Sequence, residues 1–259
     1  MEKVIITGAS DGIGRFMAQS FAKRGFAIGL IARREELLVQ LTSRLTEMGS
    51  PQVEWRSCDV TDSPSFRNAL IELDDQLGGA TYFVANAGIG GTAKIKTDSF
   101  DVIKKCLMIN VLAAIEGIEL MKERMILRGR GVLVGMSSVA GTRGLPDPAG
   151  YSASKAALTT YLESLRVLLQ KSGVQVITVA PGFISTELTK RNAGRMPFIM
   201  PVDRAAEIFV KKVIQKQRFI VAPWQYAWAI WILKLLPVFI YDGLIRVSFG
   251  YVRGTKRPQ

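Results

Sequence analysis

The sequence predicts an α/β fold, a single doubly wound parallel sheet of about seven strands in one Rossmann-like domain. Three observations carry that reading. Short apolar runs rich in Val and Ile alternate with segments of helical period through most of the 259 residues. Most of those runs are uninterrupted by charge, as strands covered on both faces must be. The first run ends in a glycine-rich turn that opens a helix, the reversal a right-handed βαβ unit requires.

Taken in order, the strands are Val4–Thr7, Ala27–Ile31, Val53–Cys58, Tyr82–Asn86, Gly131–Met136, Val174–Val179 and Phe219–Ala222. Each is short, and all are largely apolar but Val53–Cys58, which carries Glu54 and Arg56. Between them the 3.6-residue period marks helices over Ile13–Arg24, Glu35–Met48, Ser65–Leu77, Phe100–Arg128, Tyr151–Lys171 and Asp203–Lys216. There is no repeat, low-complexity tract or linker. Residues 1–222 hold the alternating strands and helices, and 223–259 form an apolar and basic extension of the same domain.

Composition narrows the chemistry. Hydrophobic residues make up 48% and charged residues 22%, which excludes a disordered or collagenous chain. Histidine is absent, so a Ser-His-Asp triad, a His general base and a His-ligated metal are excluded. Cys58 and Cys106 are too few for a disulfide framework or an all-cysteine metal site, and no metal is expected. Chemistry falls to Ser, Tyr, Lys, Asn or carboxylates, with an organic cofactor. Met1-Glu2-Lys3 runs straight into Val4-Ile5-Ile6 without a leader-like pattern, so a cytoplasmic enzyme is expected.

The first turn reads Thr7-Gly8-Ala9-Ser10-Asp11-Gly12-Ile13-Gly14. Its glycines let the backbone approach a pyrophosphate, and the helix that follows offers free N–H groups and a positive dipole end. Further motifs follow in a fixed order. Asn86-Ala87-Gly88 ends the fourth strand, Asn110 lies in the long helix, and Ser137-Ser138 follows the fifth strand. Tyr151-Ser152-Ala153-Ser154-Lys155 comes next, then Pro181-Gly182-Phe183-Ile184-Ser185-Thr186. This set resembles the short-chain dehydrogenase/reductase family over residues 3 to about 220. Ala85 departs from the pattern, since many members carry a second Asn there.

The resemblance implies a nicotinamide dinucleotide held by Gly8, Ser10, Asp11, Gly12, Ile13 and Gly14 at the first turn. Asp59 and Val60 would contact adenine, and Asn86, Ala87, Gly88, Pro181, Gly182, Ile184 and Thr186 would line the rest. NAD-preferring members usually place a carboxylate after the second strand. Here Ala32 occupies that position, followed by Arg33 and Arg34, and a guanidinium can clamp a 2′-phosphate. NADP (as NADPH) is therefore the expected cofactor, although Asp11 stands where some NADPH users carry a second basic residue.

Tyr151 and Lys155 are four residues apart and share one face of a helix. A phenol titrates near about 10, and a neighbouring ammonium favours its ionised form. In the family the tyrosine protonates the substrate carbonyl oxygen, the lysine also binds the nicotinamide ribose, and a serine, by resemblance Ser138, hydrogen-bonds the same oxygen. Ser137 competes for that role, because neighbouring strand residues face opposite ways. Asn110 would hold a water that connects Lys155 to solvent.

Beyond Pro181-Gly182, the stretch Met196-Pro197-Phe198-Ile199-Met200 suits an apolar lid over a lipophilic substrate. Of the 26 residues from Trp224 to Phe249, 19 are apolar, and Trp224, Trp228 and Trp231 fall on one helical stripe. Residues 190–259 hold 13 Lys/Arg against 3 Asp/Glu, a net of +10, whereas 1–189 carry only +2. The stripe packs over the active site, forms a subunit interface in a homodimer or homotetramer, or lies on an anionic membrane. The uncharged stretch Phe219–Leu233 is too short to span a bilayer. The basic tail could also dock an acidic acyl carrier protein; a solvated nucleic-acid groove is not expected from so apolar a region. The expected function is NADPH-dependent reduction of a lipophilic carbonyl, such as a long-chain keto-lipid, 3-oxoacyl or steroid-like compound. A non-enzymatic NADPH-binding regulator is the alternative.

Overall fold

The computed structural model describes residues 1–90, 99–145, 148–190 and 196–248. A seven-stranded sheet forms its centre, with the order β3-β2-β1-β4-β5-β6-β9, and every adjacent pair is parallel. The strands are β1 (Lys3–Thr7), β2 (Ala27–Ala32), β3 (Val53–Ser57), β4 (Tyr82–Ala85), β5 (Gly131–Met136), β6 (Val174–Pro181) and β9 (Phe219–Ala222). Strand order reverses direction between β1 and β4, and that switch opens a crevice at the carboxyl ends of the strands.

Helices cover both faces. Ile6, Ile28, Val84 and Val134 pack on one side with Met17 and Phe21 of α1 (Gly12–Ala22) and Phe209 of α8 (Val202–Ile214). Ile5, Phe83 and Leu133 pack on the other with α3 (Ser63–Gln76), α5 (Ala114–Leu127) and α6 (Ala149–Leu168). Alternate residues of one strand thus feed two cores, which is why these strands are apolar throughout. The helix α2 (Glu35–Glu47) completes the first face through Leu38, Leu41 and Leu45.

The seven strands and six helices expected from sequence are all present, with three physical differences. β6 runs on to Pro181, which pairs with Ala222, so the proline closes the strand rather than opening the following loop. β4 stops at Ala85, because the Asn86 N–H donates to Thr7 Oγ1 instead of continuing the ladder. The helix expected over Phe100–Arg128 is interrupted: α4 (Phe100–Leu107) and α5 are joined by a π-helical turn, Met108–Ala113. Beyond these lie the small strands β7 (Ile184–Ser185) and β8 (Met200–Pro201), the short helix α7 (Glu187–Lys190), and α9 (Gln225–Leu235) and α10 (Val238–Ser248). No helix among the described residues is long and apolar enough to cross a membrane.

Candidate active site

The carboxyl ends of β1, β2, β4, β5 and β6 surround a cavity of 430 Å³. At its floor β1 turns into α1. Gly12 adopts φ +54°, a conformation costly for any residue with a Cβ, and a side chain there would meet nothing nearer than Thr186 Cγ2 at 3.8 Å. The open space over the α1 N-terminus is a cradle of the size and polarity a pyrophosphate requires. Gly14 does not line the cavity. A Cβ on it would fall 2.4 Å from Asn86 Nδ2 and 2.5 Å from the Gly8 carbonyl, so its role is to let α1 close against β1 and β4. Asn86 reaches the cavity wall, but its amide donates to the carbonyls of Thr7 and Gly8 at 2.9 and 3.2 Å. Thr7 Oγ1 in turn accepts from the N–H groups of Asn86 and Ala87, both at 3.0 Å.

One end of the cavity is basic. Arg34 Nη2 donates to Ser10 Oγ at 3.0 Å and lies 3.5 Å from Asp11 Oδ2. Arg33 Nη1 stands 3.6 Å from Asp59 Oδ2, and both guanidinium groups are solvent-accessible. Asp11 caps α1 by accepting from the Gly12 N–H at 2.7 Å, which engages one carboxylate oxygen. The Thr61 backbone N–H and the Arg33 charge hold the Asp59 carboxyl below its ordinary range. Val60 is buried beside it.

At the other end lie Ser138, Tyr151 and Lys155, all in the cavity wall. The two serines divide as strand alternation requires. Ser137 Oγ turns inward to the Lys155 carbonyl at 2.9 Å and to Thr159, while Ser138 faces the cavity and hydrogen-bonds the Tyr151 phenol. Lys155 Nζ is buried, donates to the Met136 carbonyl at 2.7 Å, and lies 5.8 Å from the Tyr151 ring centroid. Burial lowers its pKa to about 8. The same burial raises the Tyr151 phenol, and the Ser138 hydrogen bond opposes it only in part. Sequence reasoning expects the ammonium to draw the phenol down. In this arrangement burial dominates and keeps the phenol above its ordinary value.

Asn110 sits in the π-helical turn, fully buried and outside the cavity wall. Its Oδ1 accepts from the Ile89 N–H at 2.8 Å, and its Nδ2 donates to the Ile89 carbonyl and to Ser154 Oγ at 2.9 and 3.0 Å. Both amide hydrogens are engaged. The side chain ties the loop after β4 to α6 directly behind Tyr151.

Beyond Gly182, which lines the cavity, an aromatic cluster packs behind its edge. A Cβ on Gly182 would lie 2.3 Å from the Tyr226 ring, which packs edge-on against Phe183 and Phe198. Tyr226 also donates to the Pro197 carbonyl. Arg143 Nη1 donates to the carbonyls of Leu233 and Leu236 at 2.9 and 3.0 Å, and its guanidinium stacks on Tyr241 at 4.2 Å. Tyr226 and Arg143 escape sequence reasoning, as do the lining residues Ile89, Met136 and Thr189. For Tyr226 the apolar stripe from Trp224 was a signal; for Arg143 there was none.

Comparison with known proteins matches this geometry. The family described as short chain dehydrogenase matches residues 2–196. An uncharacterised oxidoreductase of Myxococcus xanthus is 38% identical over 242 residues, 93% of this chain and 95% of the relative. The chain belongs to the short-chain dehydrogenase/reductase family. It is an oxidoreductase of that family. The 11-beta-hydroxysteroid dehydrogenase A of Sesamum indicum is 29% identical over 95% of this chain and 75% of its own length. A short-chain dehydrogenase from Sphingobium yanoikuyae, solved in complex with NADPH, superposes with a TM-score of 0.80 at 25% identity, covering 100% of this chain and 99% of the other.

Proposed function

We propose that this short-chain dehydrogenase/reductase is an NADPH-dependent reductase of a lipophilic carbonyl compound. The observation that carries the reading is one continuous cavity. It joins Ser10, Arg33 and Arg34 at one end, through the Gly12 cradle, to Ser138, Tyr151 and Lys155 at the other. When bound, the nicotinamide cofactor supplies the hydride. The residues present fit it: the α1 N-terminus would hold a pyrophosphate, and the two arginines would offer charge-assisted donors to a 2′-phosphate. The Sphingobium relative was solved with NADPH, which supports the same choice.

The chain's own groups handle the proton. Tyr151 Oη donates it to the substrate oxygen while Ser138 Oγ hydrogen-bonds that atom as negative charge develops. Lys155, titrating at about 8, is substantially protonated at neutral pH and favours the phenolate left behind. Asn110 holds the loop after β4 and α6 in register, with both of its amide hydrogens engaged. The aromatic cluster of Phe183, Phe198 and Tyr226 packs against Gly182 at the cavity edge, an apolar surround that suits a long-chain keto-lipid, a 3-oxoacyl chain or a steroid-like ring system. The name of the sesame relative is in keeping with the last of these.

The test is NADPH oxidation against a panel of keto-lipids, 3-oxoacyl esters and ketosteroids. Tyr151→Phe retains the packing but loses the proton, so turnover of the best substrate falls by at least about 10²-fold while NADPH binding is kept. Near-parental turnover by that variant, or no turnover of any lipophilic ketone, overturns the reading.

A further inference from the structure

We propose that the hairpin of α9 and α10 is a docking surface for an anionic lipid bilayer, seating the rim of the active-site cavity against the membrane. The observation is an apolar surface that the fold leaves uncovered. Among the described residues 23 large hydrophobic side chains are exposed, and ten of them fall between Trp224 and Val247. Trp224, Trp228 and Trp231 are 66%, 67% and 68% accessible. The helix α9 turns Tyr226, Ala227 and Ile230 toward the body of the protein and presents its other side to the outside. On α10 Tyr241 is buried, held by the Gly144 carbonyl at 2.6 Å and the Arg143 guanidinium, and Ile245 is half-buried, while Val238, Phe239, Ile240, Leu244 and Val247 are exposed. So extensive an apolar surface marks an interaction site.

Charge selects the occupant. Lys234 and Arg246 are exposed on the hairpin against one exposed carboxylate, Asp242, and the sequence after α10 adds Arg253, Lys256 and Arg257. Two copies meeting on this surface would bring like charges together. An anionic bilayer attracts them, accepts Trp in its interfacial zone and lets Lys and Arg reach the headgroups. The hairpin is also short. Each helix has 11 residues, enough to lie in the interface and too few to cross it. Tyr226 links this surface to the cavity rim at Gly182, so a lipophilic molecule could pass from bilayer to site without crossing open water.

The experiment uses the full chain and needs no substrate, so its failure is separable from failure of the proposed reaction. Vesicles of phosphatidylcholine and phosphatidylglycerol (3:1) are compared with pure phosphatidylcholine in co-sedimentation, at low and high salt. Three of the four tryptophans lie on the hairpin, so intrinsic fluorescence should shift to the blue as anionic vesicles bind. The combined variant Trp224→Ser, Trp228→Ser and Trp231→Ser should lose at least about tenfold in vesicle affinity with unchanged oligomer mass. Should that variant fold poorly, Lys234→Glu with Arg246→Glu should give a similar loss while leaving the apolar surface intact. The proposal is overturned if the parent chain ignores anionic vesicles at low salt, the outcome expected if an acidic protein is the partner. It is equally overturned if the tryptophan variant falls apart from a parental dimer, which would make a second copy the occupant. Vesicle binding that survives both variants also overturns it.

Discussion

Ser137 and Ser138 show how far single residues can be read. Strand alternation says that one of the pair faces the cavity, and resemblance to the family says which; the structure turns Ser138 outward and buries the Ser137 hydroxyl on α6. Asn110 shows the limit. Its presence at the site was legible, but the partners of its amide were not, since they depend on a π-helical turn that apolar spacing does not reveal. The surroundings of the Tyr151 phenol were hidden for a related reason: spacing places Lys155 one turn away but cannot say that its ammonium bonds Met136 or that the phenol is buried. At the cofactor end the arginines act locally. Arg34 already donates to Ser10 at the cavity edge, and a charge-assisted bond of this kind contributes about 1.5–3 kcal/mol. Arg34→Ala should therefore weaken NADPH by about tenfold or more and leave NADH nearly unchanged. Fluorescence titration with both cofactors checks this, and equal losses for the two would refute the clamp.

The element most distant from its sequence-level description is the pair α9 and α10. The tryptophan stripe made a helix legible there. What the helix packs against was not, because its partners lie far away in the chain: Gly182 beneath Tyr226, and Arg143 beneath the carbonyls that end α9. Those carbonyls have no helical partner of their own, and a buried or half-buried carbonyl without a donor is costly. Gly182→Ala tests the packing directly. The added methyl would overlap the Tyr226 ring, and overpacking of this kind costs about 1–3 kcal/mol. The variant should denature at lower urea concentration than the parent, and a second change, Tyr226→Ala, should restore part of the loss by removing the clash. If Gly182→Ala is as stable as the parent, the contact contributes little.

For the whole molecule, seven alternations of strand and helix were enough to foresee the sheet, because strands buried on two faces must be apolar throughout. The electrostatic ties between layers were hidden. Asp74, fully buried at the end of α3, receives Arg124 and Arg128 from the α5 region and the Ala80 N–H at 2.6 Å. Burial alone would raise its pKa, but hydrogen bonds from Arg128 and Arg124, with the Ala80 N–H, hold it below the ordinary carboxylate range. The folded state thus binds the proton more weakly than the unfolded chain. The resulting stability is present above the unfolded pKa of about 3.9 and is lost as pH falls through the lowered folded value. Asp74→Ala leaves two partly buried guanidinium groups without their carboxylate, and should cost about 3 kcal/mol. A thermal melt at neutral pH should fall by roughly 6–12 °C, and the difference from the parent should narrow toward strongly acid pH.

The recognised family region ends at residue 196, and Tyr226, which packs on Gly182, lies beyond it. Ser138, Tyr151 and Lys155 and the aromatic packing around Tyr226 therefore occupy separable stretches of one gene. A natural or engineered exchange downstream of the last family motif could give this enzyme a new substrate range while every catalytic side chain stayed the same. Homologues that agree at Ser138, Tyr151 and Lys155 need not share a substrate, and sorting them by the residues that meet Gly182 and Arg143 would be the more informative classification.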